Sequence, residues 1–288
     1  MDLFANAVVS GILLGAFYAA VAIGLAIVFG QLDIVNIAHP AFIIVGAYVA
    51  HILNAQLGLD PVLVGLAVAP LFFLAGALIY RIYFLAFERT GQESLSGLAF
   101  FFGVMFIIEV TLILIYGVDY RLVQASYIGT TWRLGFVDFP LRMLVPCVVS
   151  ILLTLAIWLY LSRTFMGRAI QAVAQDRVAL QLMGADPVRI KQWAFGLGIA
   201  TAAIAGALLI MIGPVEPSVG RAYIGRAFAI VVLGGMGSIQ GMFIAALLLG
   251  IVESFVATFA GPSWAPAVSF GVLGLTLALR PQGLFGRA

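Results

Sequence analysis

Long apolar runs fill most of this chain and are separated by short polar stretches. A helix needs about 20 mostly apolar residues to cross the hydrocarbon core of a bilayer. Runs of that length lie near residues 4–30, 37–53, 62–86, 94–117, 141–162, 192–212, 227–259 and 264–280. Because lipid offers no water to backbone groups, such continuous runs form helices rather than the alternating strands of a barrel. The pattern predicts an all-α, multi-pass membrane protein with about eight transmembrane helices in one domain over residues 1–288.

Composition agrees with this reading. Hydrophobic residues make up 64% of the chain and charged residues only 9%, whereas about a quarter of the residues in soluble domains are charged. The first run exceeds the apolar core of a signal peptide and only Asp2 precedes it as a charge, so we expect it to be a retained helix. Cys147 is the only cysteine, which excludes an internal disulfide and a thiolate metal cluster.

Cationic residues indicate the topology, because cytoplasmic loops are enriched in Arg and Lys. The cations that flank the third, fifth and sixth runs are Arg81, Arg89, Arg163, Arg168, Arg177, Arg189 and Lys191. These loops are therefore predicted to be cytoplasmic, with the N-terminus and the loop at about 118–140 outside. Arg280 and Arg287 favour a cytoplasmic C-terminus, yet eight simple crossings would leave it outside, so one run must be interrupted.

The run 227–259 is the best candidate for that interruption. As one straight helix it would be roughly 50 Å long, against about 30 Å for the hydrocarbon core. Its glycines mark a break, and residues 36–40 interrupt the apolar pattern at a comparable place in the first half. Paired interruptions of this kind point to a transport site. The predicted residues of a translocation path are Asn36, His39, Pro40, Gly234, Gly235, Gly237 and Ser238.

The segment at about 163–191 is the one long stretch with a soluble helical pattern. Gly184 is suited to a left-handed helix end, and Asp186 and Pro187 to the N-cap and first residue of the next helix. We therefore predict a helix of about four turns before Gly184, with Ala172, Leu180 and Met183 on an apolar stripe. The periodicity alone leaves open whether this helix lies on lipid headgroups or docks on a partner.

Three carboxylates fall in or near apolar runs, where an ionised side chain usually faces a partner or a wet cavity. They are Asp33, Glu109 and Glu253. Each is either an ion or proton site or a group paired with an Arg, or with a backbone donor of a neighbouring subunit; we favour pairing. The first alternative corresponds to an ion-gradient-driven transporter or channel. His39 is either a titrating group or a structural group that bonds exposed backbone, and we favour the structural role.

Sequence signatures of catalysis are missing. Lys191 is the only lysine and follows Ile190, so the chain lacks the Gly-Lys-Ser/Thr of a phosphate-binding loop. Its two histidines do not form an HExxH metal site, and there is no Gly-x-Ser-x-Gly elbow. We expect neither an enzyme nor an ATPase, with no metal or cofactor bound by this chain.

Several runs, in order along almost the whole chain, are similar to one family. They are GLAIVFG at 24–30, NIAH at 36–39, GAY at 46–48, GRAIQAVAQD at 167–176, LMG at 182–184, VLGGMGS at 232–238 and RPQG at 280–283. With these runs the chain resembles the LivH-like permease subunits of branched-chain amino acid ABC importers. It departs from the family at Pro40, where Gly is common; Pro lacks a backbone donor and fixes φ, so the interruption there is expected to be stiffer.

The resemblance implies that the helix before Gly184 is a coupling helix that docks on a cytoplasmic ATPase. The coupling residues it implies are Arg168, Gln175, Asp176, Ala179, Leu182, Met183, Gly184 and Ala185. It also implies four partners in a bacterial inner membrane complex: a second, LivM-like permease, two ATPase subunits that hold ATP-Mg, and a periplasmic substrate-binding protein. The implied cargo is branched-chain amino acids or related small solutes, since similar permeases serve urea, amides and carboxylic acids.

Overall fold

The computed structural model describes residues 2–90, 94–134, 137–280 and 282–286. Within them, eight helical stretches are long and apolar enough to cross a membrane. The helices are α1 (Asp2–Leu32), α2 (His39–Leu57), α3 (Pro61–Ala86), α4 (Ser94–Tyr116), α5 (Leu141–Arg163), α6 (Phe165–Gln175), α7 (Arg177–Leu182), α8 (Pro187–Ile212), α9 (Gly220–Gly234), α10 (Ile239–Phe259) and α11 (Ala265–Leu279). The prediction of an all-α, multi-pass membrane protein is confirmed.

α1 and α8 form the centre of the bundle, and each has most of its apolar span buried. α1 packs closely on α10 because glycines remove side chains from the contact. A Cβ built on Gly15 would lie 2.7 Å from the Leu247 Cα, and one on Gly11 would lie 2.6 Å from the Ile251 Cα. This contact fits the close helix approach expected of small residues spaced four apart. In contrast, α3, α4 and α11 expose most of their spans, a surface suited to lipid or to another membrane subunit.

The predicted interruption of 227–259 is confirmed. The run is two antiparallel helices: Gly234, at the end of α9, lies against Met242 near the start of α10, and Arg226, earlier in α9, pairs with Glu253, late in α10. Gly235 and Gly237 adopt φ of +94° and +87°, which favours glycine. Since α9 has only 15 residues, it is about 22 Å long. α9 adds one reversal of chain direction. As a result, the N-terminal and C-terminal parts of the chain lie at opposite ends of the bundle.

A second interruption separates α1 from α2. Asp33 takes φ of +57° after the end of α1, and the chain then folds back along it. The His39 imidazole, at the start of α2, bonds the carbonyl of Val21. Val21 lies eleven residues before Leu32, so α2 begins about 16 Å back from the end of α1. The non-helical residues 33–38 therefore run back along α1, with Asn36 and Ala38 buried and Asp33 and Val35 exposed.

The loop at about 118–140 is folded, as its Gly, Thr and Asp content suggests. Strands β1 (Thr131–Leu134) and β2 (Val137–Pro140) pair antiparallel, with Trp132 opposite Phe139. Ahead of them, Arg121 exchanges two backbone hydrogen bonds with Val215, in the loop after α8. The backbone N–H of Asp138 donates to the side-chain oxygen of Asn6. These contacts make the loop a folded cap over one end of the bundle.

Candidate functional site

The predicted coupling segment is two helices, so the prediction of one four-turn helix is wrong. Asp176 interrupts it with φ of −153° and ψ of 105°. One Asp176 carboxylate oxygen accepts hydrogen bonds from the N–H groups of Val178 and Ala179. Because that carboxylate satisfies the first donors of α7, it caps a new helix instead of continuing α6. At the other end of α6, the Thr164 hydroxyl accepts from the Gly167 N–H.

The end of the coupling segment follows the predicted pattern. Gly184 has φ of +80°, and the Ala185 N–H after it donates to the carbonyl of Leu180. The Asp186 side chain then caps α8 by accepting from Val188 and Arg189, and Pro187 is the first helical residue. The turn between α7 and α8 is thus held by backbone geometry and one carboxylate.

Exposure divides the coupling residues into two groups. Arg168, Gln175, Asp176, Leu182, Met183 and Gly184 are exposed, whereas Ala179 and Ala185 are half-buried. The predicted apolar stripe is not continuous, since Leu180 is 6% exposed while Met183 is 76% exposed. Leu182 is 85% exposed and Val178 65%. α7 therefore presents an apolar tip, made of Val178, Leu182 and Met183, away from the bundle.

A buried ion pair ties the coupling segment to the bundle. The ammonium of Lys191, the fifth residue of α8, pairs with the carboxylate of Glu88 in the loop after α3, and the Tyr80 hydroxyl donates to the other oxygen of Glu88. The Lys191 and Glu88 side chains are 2% and 8% exposed. The sequence analysis counted Lys191 among the loop cations and did not predict its burial. A single lysine near the start of an apolar span could have indicated a buried ion pair.

The predicted path residues lie at two positions along α1. Asn36, His39 and Pro40 are buried; among the described atoms, the Asn36 amide nitrogen and the His39 Nδ1 have no hydrogen-bond partner. This group packs near Val21 and Gly24.

The second position is the break between α9 and α10. Gly234 and Gly235 are buried, Gly237 is exposed, and Ser238 caps α10 by accepting from the Gly241 N–H. The Gln31 side chain of α1 donates to the Gly237 carbonyl. From Val21 to Gly30 is about 13 Å along the axis of α1, so the two groups of predicted path residues contact the same helix at separate positions.

A polar cavity of about 520 Å³ connects the coupling segment to the α9–α10 break. Gln171 and Gln175 of α6 line one side, and Gln31, Gly237 and Ser238 line the other. α6 and the break therefore face each other across this cavity.

The C-terminal tail closes the same break, which the sequence did not predict. The Leu284 N–H donates to the carbonyl of Leu233 at 2.7 Å, and the Phe285 N–H donates to that of Gly234 at 3.3 Å. These are carbonyls of the last turn of α9, which have no partner within the helix. Gly283 turns into this contact at φ of +76°. Gly283, three residues after Arg280, was a sequence signal of this turn.

Two of the three membrane carboxylates pair with arginines of the same chain. Glu109 accepts two hydrogen bonds from Arg221, and Glu253 accepts three from Arg226. The preference for pairing is thus confirmed for both. Asp33 is exposed at the end of α1. Paired carboxylates are already neutralised, which weakens them as sites for a driving ion.

Comparison with known proteins gives one family over nearly the whole chain. Residues 7–277 match the family model described as the permease component of branched-chain amino acid transport systems. The BraD permease protein of the high-affinity branched-chain amino acid transport system of Pseudomonas aeruginosa is 32% identical, over 97% of this chain and 94% of that protein. LivH of the corresponding Escherichia coli system is 29% identical over 99% and 96%, and LivM of Salmonella typhimurium is 28% identical over 93% and 67%.

A solved structure shares the fold. PsaBC from Streptococcus pneumoniae in complex with Fab aligns with a TM-score of 0.53 and 16% identity, covering 96% of this chain and 91% of that one.

Proposed function

Since this chain belongs to the family of permease components of branched-chain amino acid transport systems, we propose that it carries branched-chain amino acids or related small solutes inward across the bacterial inner membrane. The observation that carries the proposal is the family match over residues 7–277. As an ABC importer permease subunit that lacks a phosphate-binding loop sequence, the chain would take its energy from ATP-Mg on two partner ATPase subunits. A periplasmic binding protein would deliver the solute.

The exposed tip of α7 supports ATPase docking. Val178, Leu182 and Met183 are each more than half exposed, beside the polar residues Gln175 and Asp176. An apolar group with a polar rim is the anatomy of a protein interface, and it suits a groove in a partner better than open water. Arg168, Ala179, Gly184 and Ala185 complete the proposed docking surface.

Force applied to this surface has two routes into the bundle. One runs through the turn at Gly184 into α8, whose N-terminal part is fixed to the loop between α3 and α4 by the Lys191–Glu88 ion pair. The other runs through Gln171 and Gln175 to the break at Gly237. We propose that closure of the ATPases moves α6 and α7 and thereby shifts both interruptions of the bundle, which alternates access to the path.

The path itself is proposed to pass the two interruptions. Asn36, His39 and Pro40 would line one part and Gly234, Gly235, Gly237 and Ser238 the other. Buried polar atoms without partners, such as the Asn36 amide nitrogen, are unfavourable in an apolar bundle, which supports a conformation in which they meet water or solute. A second, LivM-like permease would cover the exposed helices and complete the path.

An ion-gradient-driven transporter is the competing function. It would require Asp33, Glu109 or Glu253 as the ion site, whereas Glu109 and Glu253 are bound to arginines. ATP-dependent uptake that persists when proton and sodium gradients are collapsed would remove this alternative.

Affinity purification of the tagged chain from its native membrane in mild detergent, with mass spectrometry, tests the partners. We expect two ATPase subunits and a second permease in the complex. A matched sample that carries Leu182→Ser and Met183→Ser should keep the second permease and lose the ATPases. Recovery of the chain alone, under conditions that preserve other ABC complexes, would contradict the proposal.

A further inference from the structure

Helices α4 and α9 hold an ion pair at the surface of the apolar bundle. The Arg221 Nε donates to one oxygen of Glu109 at 2.8 Å, and an Nη2 of the same guanidinium donates to the other oxygen. The Arg221 side chain is 60% exposed, although that of Glu109 is 6% exposed. Glu109 lies seven residues before the end of α4 at Tyr116, about 10 Å into the helix. Glu109 therefore sits within a transmembrane span, and Arg221, the second residue of α9, pairs with it there.

An exposed guanidinium at this position requires water or protein beside it, because ionised groups within a span face a wet cavity or a partner rather than lipid. The rest of this face of the bundle is apolar: Phe106, Ile107 and Leu114 of α4 are all more than half exposed. If a second membrane subunit covers α4, Arg221 would be the charged group at the interface between the two subunits.

The pair also lies beside the interruption between α1 and α2. Ala41 and Ile44, in the first turns of α2, line a small pocket together with Glu109 and Arg221. A Cβ built on Gly220, next to Arg221, would lie 3.3 Å from the Pro40 carbonyl oxygen. Farther along the same face of α2, the Tyr48 hydroxyl is buried and has no hydrogen-bond partner among the described atoms. The ion pair and the Tyr48 hydroxyl thus lie along one face of α2, between its start and the end of the bundle that carries the folded loop.

The other membrane ion pair differs in its surroundings. The Arg226 and Glu253 side chains are 13% and 4% exposed. The Arg226 guanidinium lies 5.8 Å from the ring centre of Tyr18 and 5.3 Å from that of Tyr223. The two tyrosine rings and Glu253 surround the Arg226 guanidinium and leave little of it exposed. The Arg221 side chain is mostly exposed, so a solute can approach it.

We infer that the Arg221–Glu109 pair is a contact site for a zwitterionic α-amino acid: Arg221 takes the carboxylate and Glu109 takes the ammonium. The inference rests on the proposed function and specifies its solute class. A planar guanidinium binds a carboxylate through two parallel hydrogen bonds. Exchanging one internal ion pair for two solute ion pairs leaves no charge unpaired. A neutral amide, an amine or a carboxylic acid anion would leave at least one charge without an ionic partner in a low-dielectric span, which is strongly unfavourable.

Transport by the whole complex tests this site. The permeases, ATPases and binding protein are placed in proteoliposomes, and import of labelled leucine is measured with ATP hydrolysis. The double variant Glu109→Gln with Arg221→Gln removes both charges and keeps hydrogen-bonding side chains. We expect it to assemble and to hydrolyse ATP within twofold of the unmodified complex, while leucine import falls at least tenfold.

A charge-swapped variant, Glu109→Arg with Arg221→Glu, separates the site from a structural ion pair. It restores a salt bridge between α4 and α9 but exchanges the positions of the two charges, so we expect import to stay low. Import within twofold of normal in either double variant would overturn the inference, and if the neutral variant fails to assemble, the swapped variant decides. If the unmodified complex imports no amino acid, the proposed function fails instead.

Discussion

Gly15 of α1 and Gly250 of α10 lie in direct backbone contact: a Cβ built on Gly250 would overlap the Gly15 Cα. No side chain fits between them, so the two helices are held together by backbone and small-residue packing. Because both interruptions of the bundle also contact α1, through Val21 and Gln31, this packing fixes the helix beside which the proposed path runs.

Gly250→Leu is therefore expected to force α1 and α10 apart. Overpacking of a well-packed contact destabilises by about 1–3 kcal/mol, and thermal unfolding in detergent measures the loss. Gly274→Leu is the matched control, because nothing lies within 4 Å of a Cβ at that position of α11. Equal melting temperatures for the two variants would contradict the contact.

Gly184→Val is expected to uncouple ATP hydrolysis from uptake while the protein still reaches the membrane. The left-handed conformation at φ of +80° costs a residue with a Cβ about 1–2 kcal/mol, and more for a β-branched one, so the turn into α8 would relax. Gly184→Asn is the control, since Asn tolerates this conformation. Measuring uptake per ATP hydrolysed distinguishes them, and normal uptake by the Val variant would refute the coupling role of the turn.

Arg226→Gln should destabilise the bundle strongly because it leaves the Glu253 carboxylate, whose side chain is 4% exposed, without its cation. Breaking a buried pair in this way costs about 3–5 kcal/mol. The comparison is Arg133→Gln, whose partner Asp138 is 48% exposed; exposed pairs contribute about 0–1 kcal/mol. Unfolding in denaturant gives both values, and similar losses would show that Arg226 and Glu253 are not a buried pair.

Leu284→Pro removes the N–H that binds the Leu233 carbonyl and keeps an apolar side chain. A buried acceptor left without its donor costs about 1–3 kcal/mol, so the last turn of α9 should open more often. Hydrogen exchange over residues 231–238 is expected to accelerate in this variant and to stay normal in Leu284→Ala, which retains the donor. Equal exchange in the two variants would mean that the tail does not hold the break.

The sequence predicted those features that are set by local physics. Apolar run length gives the spans, and the excess length of 227–259 gives the break between α9 and α10. Gly184, Asp186 and Pro187 give the turn before α8, because each residue type has one strong conformational preference there.

Features that depend on distant partners were not predicted. Arg221 and Glu109 are separated by 112 residues, and nothing in the local pattern joins them. The cap that Leu284 provides for α9 likewise appears only when α11 packs beside α9. The prediction of one continuous helix across Asp176 failed although the feature is local. The same sequence neighbours suit an Asp on the polar face of a helix and an Asp at an N-cap, so the local pattern does not distinguish the two.

Uptake of labelled leucine into proteoliposomes that contain the full complex distinguishes ATP-driven import from ion-driven transport. With the binding protein outside and ATP-Mg inside, we expect accumulation that requires ATP, continues when proton and sodium gradients are collapsed, and is abolished in the Gly184→Val variant. Accumulation driven by an ion gradient without ATP, and unaffected by that variant, would contradict it.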